Sequence, residues 1–184
     1  MMTDSEIHPD LARQIVTESD IQKRVSQLAE EISADYANVD RLFLVGILKG
    51  AFIFLADLAR QLAVSHSVDF MALSSYGRTA THSGEVRLIM DLRESIVDKH
   101  VVIVEDIVDT GHTLNYLYRS LGERKPKSLK TCVLVRKERE NLHVPIDYLG
   151  FEIPDVWVVG YGLDFADLHR TLPFIAELKP EVYR

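Results

Sequence analysis

The sequence predicts one α/β domain built on a parallel sheet. Three observations carry that prediction. Strand-like apolar runs begin near residues 42, 68, 101 and 130, with helical patterns between several of them. The run "HVVIVE" (100–105) is apolar almost without alternation, which suits a strand covered on both faces in the middle of a parallel sheet. At 184 residues, 47% hydrophobic and 27% charged, the chain has the size and composition of one ordinary globular domain, and no linker or low-complexity segment divides it.

Taken in order, residues 19–37 form an amphipathic helix, because Ile21, Val25, Leu28 and Ile32 recur at helical spacing. Ser19 with Gln22 reads as its capping box. "RLFLVGILKG" (41–50) is a buried strand ending in Lys49 and Gly50, and "AFIFLADLARQL" (51–62) is the helix after it. "SVDFMAL" (67–73) alternates at Val68, Phe70 and Ala72, and "VRLIMDL" (86–92) alternates again. The polar stretch "SSYGRTATHSGEV" (74–86) is long for a plain connection, and such loops are often lids or binding loops. "HTLNYLYRSLGE" (112–123) is a helix with Leu114, Leu117, Tyr118 and Leu121 inward. "LKTCVLV" (129–135) is another buried strand. "IDYLGFEIPDVWVVGYGLD" (146–164) holds two short strands broken at Pro154, and "LHRTLPFIAEL" (168–178) closes the domain.

Charge and composition narrow the function classes. A net charge of −7 argues against a general nucleic-acid binder, which usually carries a basic face. Cys132 is the only cysteine, so no internal disulfide forms; it reads as core, and a reducing cytoplasm is the simplest compartment. No run approaches 18 apolar residues, so no membrane-spanning helix is expected. The start, "MMTDSEIHPD", lacks the basic and apolar regions of a signal peptide. The seven histidines show no close ligand spacing such as HExxH, so no histidine-held metal is expected.

The stretch "VVIVEDIVDTGHTL" (101–114) carries the chemistry. In an open α/β sheet, ligands collect beyond the carboxyl ends of the strands, which is where residues 105–113 fall. Loop N–H groups and the start of the next helix make an anion cradle; Thr110 and Thr113 add hydroxyls, and Gly111 permits close approach. It is neither a P-loop nor a dinucleotide fingerprint, since GxxxxGK[ST] and GxGxxG are both absent. Glu105 and Asp106 need another partner: a sugar diol, or Mg²⁺, a hard cation that takes oxygen ligands. A 5-phosphorylated sugar with free 2- and 3-hydroxyls satisfies both halves. The bland alternative is an acidic loop capping a helix, with Asp109 as a solvated turn residue.

This stretch closely resembles the phosphoribosyl-pyrophosphate loop of the type I phosphoribosyltransferases. "GILKGAFIF" (46–54), "SSYG" (74–77), "VLVRK" (133–137), "GFEIPDVWVVGYGLDF" (150–165) and "HRTLP" (169–173) follow in family order and extend the resemblance over about residues 40–175. The "LKG" and "IPDxWVVGYGLD" elements narrow it to the 6-oxopurine, hypoxanthine-guanine branch. The resemblance implies the family's fold over residues 1–184: a central, mostly parallel sheet flanked by helices. It also implies a flexible lid loop at about 74–88 and a small hood from the N-terminal segment and about 146–175.

The activity implied is pentosyl transfer: 5-phosphoribosyl passes from phosphoribosyl pyrophosphate to hypoxanthine or guanine, giving IMP or GMP and pyrophosphate. Asp109 is implied as general base for the purine N7 proton. Asp109, Thr110, Gly111, His112 and Thr113 are implied to bind the 5-phosphate, and Glu105 and Asp106 the ribose hydroxyls, directly or through Mg²⁺. Asp164 is implied as a further Mg²⁺ ligand through water. Lys49 and Gly50, behind a cis peptide bond, match the family's pyrophosphate loop, and Arg170 its second pyrophosphate contact. Lys137 matches the donor to the purine O6, Trp157 the ring that stacks on the base, and Val158 and Asp164 frame its C2 edge. Ser75 and Tyr76 belong to the lid. Bland alternatives are a charged strand end for Lys49, a surface arginine for Arg170 and a core tryptophan for Trp157. Two rival readings remain: a phosphoribosyltransferase for another base such as adenine, orotate or xanthine, and a phosphoribosyl-pyrophosphate-sensing nucleic-acid regulator on the same fold. Lys137 and the Trp157 segment favour a 6-oxopurine; the retained Asp109 and the acidic chain weigh against the regulator. The family suggests a homodimer or homotetramer.

Overall fold

The computed structural model describes residues 8–75, 86–139 and 144–183. Its elements run β1 (Leu11–Val16), α1 (Glu18–Asp35), β2 (Leu42–Leu48), α2 (Phe52–Gln61), β3 (His66–Ser75), β4 (Val86–Met90), β5 (His100–Val108), α3 (His112–Gly122), β6 (Ser128–Lys137), β7 (Tyr148–Ile153), β8 (Val158–Val159), β9 (Ile175–Leu178) and α4 (Pro180–Tyr183). The main sheet has the order β4-β3-β2-β5-β6-β7. Its strands pair in parallel except β4, which runs antiparallel to β3 at one edge. A second, three-stranded antiparallel sheet has the order β1-β9-β8.

Strand alternation sorts the core. Leu42, Leu44, Val102, Val104, Cys132 and Leu134 face the side packed by α1 and α2. Phe43, Val45, Ile47, Val101, Ile103 and Val133 face the side packed by α3. Strand β5 therefore has helices over both faces, which is why its sequence does not alternate in polarity. Cys132 is buried in the first of these layers, as read from its apolar run. Among the described residues, no helix is long and apolar enough to cross a membrane.

Several expectations shift. Helix α1 is capped two residues earlier than Ser19: the Thr17 hydroxyl accepts from Asp20 N at 3.1 Å, so Thr17 with Asp20 is the cap. Tyr118, expected to face inward, is 37% exposed, while Leu114, Leu117 and Leu121 are buried. Strand β5, expected over 100–105, continues through Asp106 to Val108, so both acids sit on the strand. Strands β1 and β9 were not anticipated. The hood expected from the N-terminal segment and residues 146–175 coincides in part with the small sheet; Tyr148–Ile153 belong instead to the main sheet. Of the lid expected at 74–88, Ser74, Ser75, Val86, Arg87 and Leu88 lie in the β3–β4 ladder. Residues 76–85, Tyr76 among them, lie outside the described residues.

Candidate active site

The carboxyl ends of β2, β5 and β6 deliver Lys49, Asp109 and Lys137 to one side of the sheet. Alternation along β5 gives its two acids different surroundings. Glu105 lines a cavity of about 180 Å³ with residues 107–114, and Asp106 lines a second of about 180 Å³ with Ile107, Asp109, Lys137, Trp157, Val158, Leu163 and Asp164. Burial, then the neighbouring Asp106, pushes the Glu105 carboxyl well above its ordinary value. Burial likewise raises Asp106 to about 6, against backbone N–H groups and Arg170, which lower it. The buried Glu105 Oε2 has no hydrogen-bond partner. A buried carboxylate with an unfilled oxygen beside a half-buried one is a donor set that fits a hard divalent cation.

The first cavity lies where the sequence predicts the anion cradle. Helix α3 opens at Gly111, whose φ of 79° is the left-handed conformation glycine adopts without cost. No side chain caps this helix, so the first N–H groups keep their outward-facing capacity toward the loop. Asp109, Thr110, Gly111, His112 and Thr113 all line it.

Two residues of the second cavity, Asp109 and Lys137, belong to a tight charge network. Lys137, only 9% exposed in its side chain, places Nζ 3.2 Å from Asp109 Oδ2 and 3.4 Å from Asp155 Oδ1. Arg139 reaches the same two acids, at 2.7 Å and 2.8 Å. Burial alone would raise the Asp155 carboxyl, but the Arg139 and Lys137 cations bring it below its ordinary value. Trp157 is half-exposed, stacked on Tyr183 and edge-on to Phe165, and so is not a core tryptophan. Val158 is buried in β8.

The third region surrounds Lys49. The Leu48–Lys49 peptide is cis. Gly50 has no room for a side chain: a Cβ there would lie 1.6 Å from Asp106 Oδ2. Its carbonyl is close-packed on Gly162, whose φ is 102° and whose own Cβ would sit 2.0 Å from that oxygen. Arg170 donates to Gly162 O at 2.7 Å and reaches Asp164 at 2.7 Å and Asp167 at 2.8 Å. Lys49 Nζ meets the same Asp167 oxygen at 2.8 Å. Arg170 first, and Lys49 next, hold the Asp167 carboxyl down at about 2. A carboxylate thus sits between the two cations predicted to bind an anion. Gly160, Tyr161, Gly162, Ala166, Asp167 and His169 all have positive φ, so this segment is folded into an unusual, over-determined path around Arg170.

Every predicted site residue in the described region falls at one of these three places, apart from Ser75, which ends β3. Arg139, Asp155, Asp167 and Gly162 were missed. Gly162 alone had a sequence signal, inside the "GYGLD" turn.

The sequence profile of the phosphoribosyl transferase domain matches residues 12–166. The hypoxanthine-guanine phosphoribosyltransferase of Dictyostelium discoideum is 48% identical over 179 residues, which cover 95% of this chain and 99% of that protein. The solved structure of a hypoxanthine phosphoribosyltransferase from Staphylococcus aureus aligns over 100% of both chains, with a TM-score of 0.90 at 42% identity. That of the Trypanosoma cruzi hypoxanthine phosphoribosyl transferase gives 0.88 at 45% identity, covering 96% of this chain and 95% of the other.

Proposed function

Because the chain belongs to the phosphoribosyl transferase family, we propose that it is a purine salvage enzyme of the hypoxanthine-guanine branch. It moves the 5-phosphoribosyl group from phosphoribosyl pyrophosphate to hypoxanthine or guanine, releasing pyrophosphate with IMP or GMP. The observation that carries the base assignment is the Lys137–Asp109 pair. A donor and an acceptor stand 3.2 Å apart on the wall of a cavity that Trp157 also lines. A 6-oxopurine protonated at N7 offers the complement, an O6 acceptor beside an N–H donor. Adenine would turn an amino group toward the Lys137 ammonium and leave that buried cation badly paired.

The residues divide the reaction as follows. Backbone N–H groups of 109–113 and the Thr110 and Thr113 hydroxyls hold the 5-phosphate at the start of α3. Glu105 and Asp106 accept from the ribose hydroxyls. Trp157 stacks on the base, with Val158 and Asp164 at its C2 edge. As the C1–pyrophosphate bond breaks, the purine nitrogen takes C1 and Asp109 accepts the N7 proton. Lys49, the Gly50 backbone and Arg170 receive the leaving group, displacing the Asp167 carboxylate that bridges the two cations. Mg²⁺, held by Glu105, Asp106 and, through water, Asp164, would offset the charge of the donor and the departing pyrophosphate. Ser75, at the end of β3, and Tyr76 after it are assigned to the lid that excludes water from the sugar cation. The chain acts as one catalytic domain with a hood, in the cytoplasm, as a homodimer or homotetramer.

The test is a product assay with donor, Mg²⁺ and each purine in turn. Hypoxanthine and guanine should give nucleotide and adenine almost none. Adenine turnover comparable to hypoxanthine would remove the role given to Lys137.

A further inference from the structure

Sequence spacing offers no histidine ligand set, but the fold makes one. His8 precedes β1, and His169 lies in the segment between β8 and β9, yet their rings stand 4.8 Å apart at 75°. Asp10 lies between them. Its Oδ2 is 3.2 Å from His169 Nε2 and 3.4 Å from His8 Nδ1. All three ligand atoms fall within 4.8 Å of one another.

We propose that His8, Asp10 and His169 form a second cation site, for a borderline divalent metal such as Zn²⁺, separate from the carboxylates Glu105 and Asp106. The decisive observation concerns His169. Its side chain is 8% exposed and its Nε2 is buried, and that nitrogen has no hydrogen-bond partner although a carboxylate oxygen lies 3.2 Å away. A buried ring nitrogen left without a hydrogen bond is costly unless something else fills its direction. Two ligand atoms that approach without bonding to each other can share a third atom. Zn²⁺ bonds of about 2.0–2.2 Å in tetrahedral array put ligand atoms about 3.3–3.6 Å apart. Two of the three separations are already near that range.

The site is also half-assembled before any metal arrives. The Asp10 carbonyl accepts from Lys179 N at 2.8 Å and the Pro9 carbonyl from Lys179 Nζ at 2.7 Å, which fixes this segment beside the end of β9. His169 is held by burial. Only the half-exposed His8 has to swing inward. Two imidazoles and one carboxylate suit Zn²⁺ and not Mg²⁺ or Ca²⁺, which prefer all-oxygen sets, and a fourth position stays open to water. Bound metal would staple the N-terminal segment to the residue that precedes Arg170 and so steady the loop on which that arginine sits.

Isothermal titration of the tag-free, full-length protein with ZnCl₂ tests this, with millimolar Mg²⁺ present to fill the carboxylate site. One Zn²⁺ per chain should bind, and Co²⁺ in its place should show the visible absorption of a four- or five-coordinate ion. His8→Ala and Asp10→Asn should each weaken binding at least about tenfold, as loss of metal-site groups does. Turnover with Mg²⁺ and without Zn²⁺ should stay the same in both variants. Zn²⁺ should raise the melting temperature of the parent and not that of His8→Ala. No Zn²⁺ binding in the presence of Mg²⁺, or equal affinity in parent and both variants, would overturn the proposal and leave a plain His–Asp–His contact.

Discussion

Gly50→Ala puts the packing of the leaving-group loop on trial. The added methyl would sit 1.6 Å from Asp106 Oδ2 and 2.3 Å from its Cγ. Ordinary contact needs the carboxylate to retreat by nearly 2 Å, a forced repacking of the kind that costs about 1–3 kcal/mol. Gly50 itself cannot move aside toward Gly162, because the two backbones are already close-packed. At about 2–4 °C per kcal/mol for a chain of this length, the melting temperature should fall by about 2–12 °C. Displacing Asp106 should also raise the apparent KM for phosphoribosyl pyrophosphate, because that carboxylate is assigned to the sugar and its metal. Thermal melts followed by circular dichroism and initial rates against donor concentration measure both effects. The double-variant cycle identifies the cause. With Asp106→Ala in place the clash is gone, and Gly50→Ala should then cost less than about 0.5 kcal/mol. Equal cost in both backgrounds, or no cost in either, would refute the argument.

Three further outcomes are expected. Asp109→Asn keeps the side chain's size but cannot accept the N7 proton, so kcat should fall by about 10²–10⁴ with donor KM nearly unchanged; an unchanged rate in steady-state assays would clear Asp109 of that role. Lys137→Ala removes a charged hydrogen bond to the base, worth about 1.5–3 kcal/mol. Its kcat/KM for hypoxanthine should drop about 10- to 150-fold while the gap to adenine narrows; preserved discrimination in the same assay would contradict the assignment. Asp35 accepts hydrogen bonds from Lys130 at 2.6 Å and from the Tyr148 hydroxyl at 2.5 Å, and these lower its carboxyl pKa. A depressed folded value means its contribution is fully present above its unfolded value of 3.8 and fades as pH falls through the lower folded value. Asp35→Asn should therefore flatten the pH dependence of stability in that acid window, as read from denaturant midpoints, and a parallel curve would count against the pairing.

The sequence made legible whatever had a short-range signature. The buried strands announce themselves by apolar runs because both faces of β2, β5 and β6 are covered. The loop proposed to hold phosphate is legible because one strand end and one helix start hold all its parts within residues 105–113. The rest depends on contacts between distant segments. Strand β1 reads "LARQIV" with a buried residue only at each end, and its partner Ile175–Leu178 lies at the far end of the chain, with two irregularities in register. That pattern has neither period 2 nor period 3.6. Arg139 and Asp167 look like surface charges until the fold brings them to Asp109, Lys49 and Arg170. The extension of β5 beyond Glu105 to Val108 was hidden because two acids look like the end of a strand. Here both stay on the strand, and each lines an adjoining cavity.

The central claim is that a strand end and helix start hold the donor's 5-phosphate while Lys137 and Asp109 read the edge of a 6-oxopurine. A crystal structure with hypoxanthine, Mg²⁺ and an unreactive donor analogue addresses it most directly. The phosphate should lie against the backbone of residues 109–113, with O6 within hydrogen-bond reach of Lys137 Nζ and N7 within reach of Asp109. A phosphate bound away from α3, or a base whose O6 and N7 face neither residue, would contradict the account.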